Sequence, residues 1–149
     1  MTLTSFLQLG GCTDGGYVNA AGQDNPTYEF FPPQGPAILS PILNRTLPVN
    51  LFPLTWLLPS GKLLIQSNWA TATLDYKNNI ETPLDNIPDA VRVYPASAGN
   101  LMLPLTPAND WTATLLFCGG SNVQPDRWVV YFIIAIIKYD VINYKMDST

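Results

Sequence analysis

The chain has few side chains capable of covalent or metal chemistry, and the missing type is the most informative. None of its 149 residues is a histidine. Ser-His-Asp and Cys-His nucleophilic machinery cannot be assembled from this sequence, nor can a zinc or copper site that depends on imidazole. Two cysteines, Cys12 and Cys118, stand far apart and form no CxxC pair. They pair with each other, pair elsewhere or stay free, and two cysteines do not make a disulfide framework. Cys12 has no neighbouring base to hold a thiolate. The carboxylates Asp14, Asp24, Glu29, Asp75, Glu81, Asp85, Asp89 and Asp110 are scattered in turns. Asp85 and Asp89 could bind a hard cation, but they read rather as solvated loop charges. The run "GGCTDGG" at 10–16 is rich in glycine but lacks the lysine and spacing of a phosphate loop, so it reads as a turn. Tyr28 lies in "NPTYEFFPP" (25–33), where three aromatic residues fall within four positions between prolines with no obvious catalytic pair, so the stretch is either part of a site or a piece of scaffold.

The elements that would position such groups are strands. Hydrophobic residues make up 47% of the chain and charged residues 12%, about half the usual ~25%, which indicates a globular chain rather than a disordered one. Fourteen prolines and ten glycines, with little helical periodicity, favour an all-β fold of short strands. The apolar runs "TWLL" (55–58) and "LLIQSN" (63–68) flank Pro59-Ser60-Gly61-Lys62 and predict a β-hairpin. Both runs are continuous, as suits strands buried on both faces. Strands are also expected at 70–76 and 80–83, with further pieces at 90–94 and 100–103.

A repeat emerges from the strand ends. Gly10-Gly11 closes an apolar run, Ser67-Asn68 closes the hairpin, and Gly119-Gly120 closes the run that begins at Trp111. The spacings are 57 residues from Gly11 to Asn68 and 52 from Asn68 to Gly120. A period near ~50 with four short strands per unit is the signature of a kelch-type propeller blade. Trp56, Trp69 and Trp111 are expected to pack between blades. A propeller needs at least ~4 blades to close, so the chain reads as a slice of a larger fold, with uncovered edges that promote self-association.

The seven basic residues are spread from Arg45 to Lys145 in a chain of net charge −4, which argues against nucleic-acid binding. "VVYFIIAII" at 129–137 is too short to cross a bilayer, which takes ~20 residues. The stretch 129–149 also lacks the turn residues used upstream. It is expected to be an unrelated tail, of the kind a retained intron or gene-model error would add. The start, "MTLTSFLQLGG", is not a persuasive signal peptide. Asn44-Arg45-Thr46 is an N-glycosylation triplet and favours the secretory pathway.

Three stretches together, "NPTYEFFPP" (25–33), "NLFPLTWLLPSGKLLIQSN" (50–68) and "LLFCGGSNV" (115–123), resemble fungal glyoxal oxidases, copper radical oxidases related to galactose oxidase. The likeness runs over residues 9–128. It implies about two blades of a seven-bladed kelch propeller, which in the family precedes a smaller β domain. It implies a copper held by two tyrosines and two histidines, with one tyrosine cross-linked to a cysteine and carrying the radical. The implied reaction takes small aldehydes, O₂ and water to carboxylic acids and hydrogen peroxide, outside the cell. The cross-linked tyrosine of the family precedes the glycine pair matched by Gly10-Gly11, and the other ligands lie beyond residue 128. No copper ligand therefore maps onto this chain, and it is expected to be inactive by itself. By the same likeness, Cys12-Thr13 fall where the galactose oxidase branch stacks an indole on the radical tyrosine, so that group is absent here. Phe52 falls in a segment that approaches the substrate cavity, where it either lines the cavity or, the plainer reading, packs in the core. On this resemblance Tyr28 belongs to an outer blade strand that Pro32-Pro33 terminate. The alternative reading is a non-enzymatic kelch-type binding module.

Overall fold

A computed structural model describes residues 5–13, 24–47, 51–87, 91–92, 98–120 and 139–144, with backbone alone at 98 and 139–144. Ten strands are described: β1 Phe6–Leu9, β2 Thr27–Phe31, β3 Ile38–Leu39, β4 Leu54–Leu57, β5 Leu63–Ser67, β6 Ala70–Asp75, β7 Ile80–Leu84, β8 Ala98–Met102, β9 Ala113–Gly119 and β10 Tyr139–Tyr144. They form three antiparallel sheets, ordered β1-β2-β3, β4-β5-β6-β7 and β8-β9-β10. Among the described residues this is an all-β, propeller-like fold that does not close, with one short α-helix, α1 Pro41–Arg45.

The hairpin forms where turn chemistry predicts it. Leu57 pairs with Leu63 and Leu54 with Gln66. Leu58 N donates to Lys62 O at 2.9 Å, and Gly61 takes φ 80, a left-handed value that glycine adopts without a Cβ penalty. The expected burial of both arms holds for β5 only. In β4, Leu54 and Trp56 turn inward while Thr55 and Leu57 are exposed, Leu57 by 62%. The reason is position, since β4 is the edge of its sheet and β5 lies inside it.

The four-stranded sheet is a middle layer. On one face Leu63, Ile65, Ala70, Ala72 and Leu74 pack with Tyr28, Ile42 and Leu43 from the first sheet and α1. On the other face Leu54, Trp56, Leu64 and Leu84 pack with Ala113, Leu115 and Phe117 of β9. Trp56 meets Phe117 edge to face at 5.4 Å, and Trp69 packs into the first core. Trp111 departs from the expected packing role and is 47% exposed, because it sits in the turn after the 3₁₀ segment Pro107–Asn109 rather than in β9.

The stretch "NPTYEFFPP" also corrects an expectation. Its strand β2 is the centre of the first sheet, because Ile38-Leu39 add β3 on its far side through the pairs Thr27–Leu39 and Tyr28–Ile38. Tyr28 is buried, Phe30 packs partly into the core and Phe31 is exposed. Of the strand expected at 90–94, Val91 and Arg92 are buried and the other positions lie outside the described residues. Within the expected tail, β10 pairs along β9 from Tyr139–Cys118 to Tyr144–Ala113.

Helix α1 joins the first two sheets through polar contacts. Ser40 caps it, accepting from Leu43 N, and Pro41 occupies its first turn. Glu81 of β7 accepts from Ser40 Oγ at 2.8 Å and from Ile42 N at 2.6 Å. Its carboxylate thus meets an N–H that no helical carbonyl can satisfy. Glu81 is therefore a structural anchor rather than a solvated loop charge. Glu81→Ala is expected to lower stability by about 1–3 kcal/mol, the usual loss when charged hydrogen bonds are removed, with Glu81→Gln falling between. Urea unfolding followed by tryptophan fluorescence measures this.

Candidate functional site

The three strand ends spaced ~50 residues apart share a left-handed backbone. β1 runs into Gly10 and Gly11 at φ 70 and 104, and β9 ends at Gly119 and Gly120 at φ 87 and 113. β5 runs into Asn68 with φ 58. A Cβ added at Gly11 or Gly119 would meet nothing within 4 Å, so the glycines are set by backbone conformation rather than by crowding. Asparagine is among the few residues that visit this region readily, which explains how Asn68 replaces glycine.

The chain beyond these ends brings the two sequence-nominated residues to neighbouring segments. Gly11 N donates to Leu51 O at 3.2 Å, Asn25 N donates to Gly11 O at 2.8 Å, and Cys12 bridges to Asp24. Thr13 therefore follows a turn held against the segment that carries Phe52. Both side chains are exposed, Phe52 by 56%. A separate cleft of about 240 Å³ lies between the β2–β3 region and the β6–β7 turn, with Phe30, Gln34, Tyr76 and Lys77 in its lining, and neither Thr13 nor Phe52 borders it.

A buried polar layer accompanies the strand ends, and most of it was invisible in sequence. Gln66, on the β5 face directed at β9, is fully buried, and its Nε2 donates to Asn68 O. Arg92 is fully buried, donates N–H to Asn68 O and Nε–H to Gly119 O, both at 3.2 Å, and places its guanidinium 6.0 Å from the Phe117 ring centre. It ties the end of β5 to the end of β9. Gln66 Oε1 and both polar atoms of the Asn68 amide have no hydrogen-bond partner among the described residues. Asp24, one of the carboxylates scattered in turns, is 5% exposed, with both carboxylate oxygens unpartnered among those residues. Burial pushes its carboxyl up to about 6.

The remaining candidates take structural roles. Tyr28 donates its hydroxyl to Asn79 Oδ1 at 3.0 Å, and burial, with the Glu81 charge added, raises its phenol above the ordinary value. It is a neutral core donor. Asp75 accepts from Lys77 N and from the backbone and side chain of Asn78, and these bonds, led by the Asn78 side chain, hold its carboxyl low. Asp85 is exposed, and Asp14 and Asp89 lie outside the described residues. Cys12 and Cys118 are both free. Among the described residues no three His, Cys, Asp or Glu side chains group to hold a metal.

Two outcomes follow from this layer. Asn68→Gly is expected to keep or raise stability, since it removes an unpartnered buried amide and retains the left-handed turn. Asn68→Ala is expected to be less stable than Asn68→Gly by about 1–2 kcal/mol, the cost of a Cβ in that left-handed conformation. Urea midpoints separate the two variants. For Asp24 the folded carboxyl at about 6 lies above the ordinary 3.8, so the folded state binds more protons between those values. Stability should fall as pH rises through that window and stay lower above it, and Asp24→Asn should flatten the dependence in melts taken across the window.

Comparison with known proteins adds what the geometry lacks. Residues 11–128 match the family described as glyoxal oxidase N-terminus. Aldehyde oxidase GLOX of Vitis pseudoreticulata is 33% identical over 118 residues, covering 73% of this chain and 22% of that protein. Aldehyde oxidase GLOX1 of Arabidopsis thaliana is 31% identical over 122 residues, covering 73% of this chain and 20% of that protein. The chain thus spans about a fifth of the length of these curated relatives, which are plant proteins, and the fungal origin of the resemblance is not specified by them. No solved structure matches. With its repeated left-handed strand ends and a match across residues 11–128, the chain belongs to the glyoxal oxidase N-terminal family.

Proposed function

We propose that the chain is a propeller portion of a glyoxal-oxidase-like copper radical oxidase, and that it forms scaffold rather than the metal centre. The family match over residues 11–128 carries this reading. The donor set does not fit the copper site that the family implies. The chain has no histidine, the buried tyrosine among the described residues, Tyr28, is committed to Asn79, and both cysteines are free. No reaction step is therefore assigned to its residues. In the intact enzyme the substrates are small aldehydes, the product side includes hydrogen peroxide, and the location is extracellular. Thr13 and Phe52, on adjoining segments, would face the substrate side there. No helix among the described residues is long and apolar enough to cross a membrane. Residues 129–149 fall outside the matched region, and we read them as foreign to the family, although β10 lies within them. Transcript reads across the codon after Trp128 test this, and splicing at that point into a further blade is the expected result.

Phe6, Phe31, Leu57 and Ile80 are each more than half exposed. Such surface on an unclosed fold favours self-association, as dilute sedimentation would show.

The decisive assay is peroxide release from methylglyoxal. The isolated chain loaded with copper is expected to give no more than free copper gives. The Vitis enzyme carrying residues 11–128 of this chain in place of its own matching segment is expected to retain measurable turnover. Substantial turnover by the isolated chain would overturn the scaffold reading, and a well-folded but inactive chimera would favour a binding module.

A further inference from the structure

Asn44-Arg45-Thr46 is the chain's one Asn-x-Ser/Thr triplet free of proline at its centre, and the structure gives its threonine a second task. Asn44 is exposed on α1, and its backbone N–H donates to Ser40 O. Thr46 is fully buried. Its hydroxyl donates to Ile42 O at 2.8 Å, with Leu43 O at 3.3 Å and Ser67 Oγ at 2.8 Å beside it. The same hydroxyl that a glycosyltransferase must read is the cap of α1 and a tie to β5. The helix also separates the two side chains the enzyme needs together, because residues two apart on a helix do not face each other.

We infer that Asn44 is a glycan acceptor only until α1 docks on the middle sheet, so that folding itself closes the modification site. In the unfolded segment the Asn44 Nδ2 bonds to the anomeric carbon of an oligosaccharide carried on a lipid pyrophosphate. The bond from that carbon to the pyrophosphate oxygen breaks, and the amide releases one proton. Once α1 forms, the glycan remains outward on the exposed Asn44 while Thr46 takes up its bonds to Ile42 and Ser67. Occupancy is then set by a race between transfer and docking. The inference rests on the secretory reading given above.

The test uses the full chain behind an added cleavable secretory leader, translated into microsomes, with glycosidase-sensitive mass shift as the readout. A shift that Asn44→Gln abolishes is expected. Ser67→Ala, which loosens the Thr46 tie and leaves the triplet intact, should raise occupancy. Purified, folded, unmodified chain given to the transferase with lipid-linked donor should accept glycan at least about tenfold less than a peptide of residues 40–50, as expected where modification waits on local opening. Equal acceptance by folded chain and peptide would overturn the inference, as would no modification in microsomes. A full-length gene product that stays in the cytosol, with the leader-bearing chain still modified in microsomes, would sink the secretory reading and leave the inference standing.

Discussion

Leu64 and Ile65 are neighbours in β5 yet belong to different hydrophobic cores. Ile65 packs with Tyr28, Ile42 and Leu43, and Leu64 packs with Leu115 and Phe117. Strand alternation sends successive side chains to opposite faces, so a strand that serves two cores must be apolar at nearly every position. The middle sheet is where the other two sheets find their partners. At roughly 25 cal/mol per Å² of apolar surface removed from water, each such face is worth several kcal/mol, and neither outer sheet has another described layer on which to bury its own. Polar contacts then fix register rather than supply bulk stability. Thr46 on Ser67, Ser40 and Ile42 on Glu81, and Tyr28 on Asn79 hold the first seam, while Arg92 on Gly119 holds the second.

This layering explains which parts of the fold could be read from the sequence. The hairpin was legible because Pro59 and Gly61 punctuate two apolar runs, and that signal is local. The edge character of β4 was not legible, since "TWLL" and "LLIQS" look alike and only their neighbours distinguish them. The central place of β2 depended on Ile38-Leu39, a two-residue strand too short to show any period. Helix α1 has five residues, less than two turns, and its only sequence trace is Ser40 before Pro41. The shared strand ends at Gly11, Asn68 and Gly120 were found through their spacing, and the structure supplies the reason in their common left-handed backbone.

The candidate site was harder to read, and for a different reason. Sequence reasoning assigns a carboxylate to water by default, because burial of an unpaired charge is expensive. Asp24 and Glu81 both break that default. Glu81 does so with two hydrogen bonds in return, whereas Asp24 has none among the described residues and responds through a raised pKa. Arg92 likewise looks like an ordinary surface residue in sequence, and Gln66 and Asn68 lie in a run expected to be buried without showing what they would bond. They are buried because they lie where two sheets meet at the strand ends, a juxtaposition that only topology creates.

These polar side chains sharpen the contrast between scaffold and centre. A metal site needs several donor atoms converging on one point, with geometry that backbone twist alone does not provide. The strand-end layer converges instead on backbone carbonyls, those of Asn68 and Gly119. Such an arrangement stiffens turns and sets the angle between neighbouring sheets. In a propeller that angle determines whether groups carried by other blades reach one another. On the scaffold reading proposed above, the physical contribution of this chain to family chemistry would lie in the spacing it imposes, through a doubly buried sheet and three left-handed strand ends.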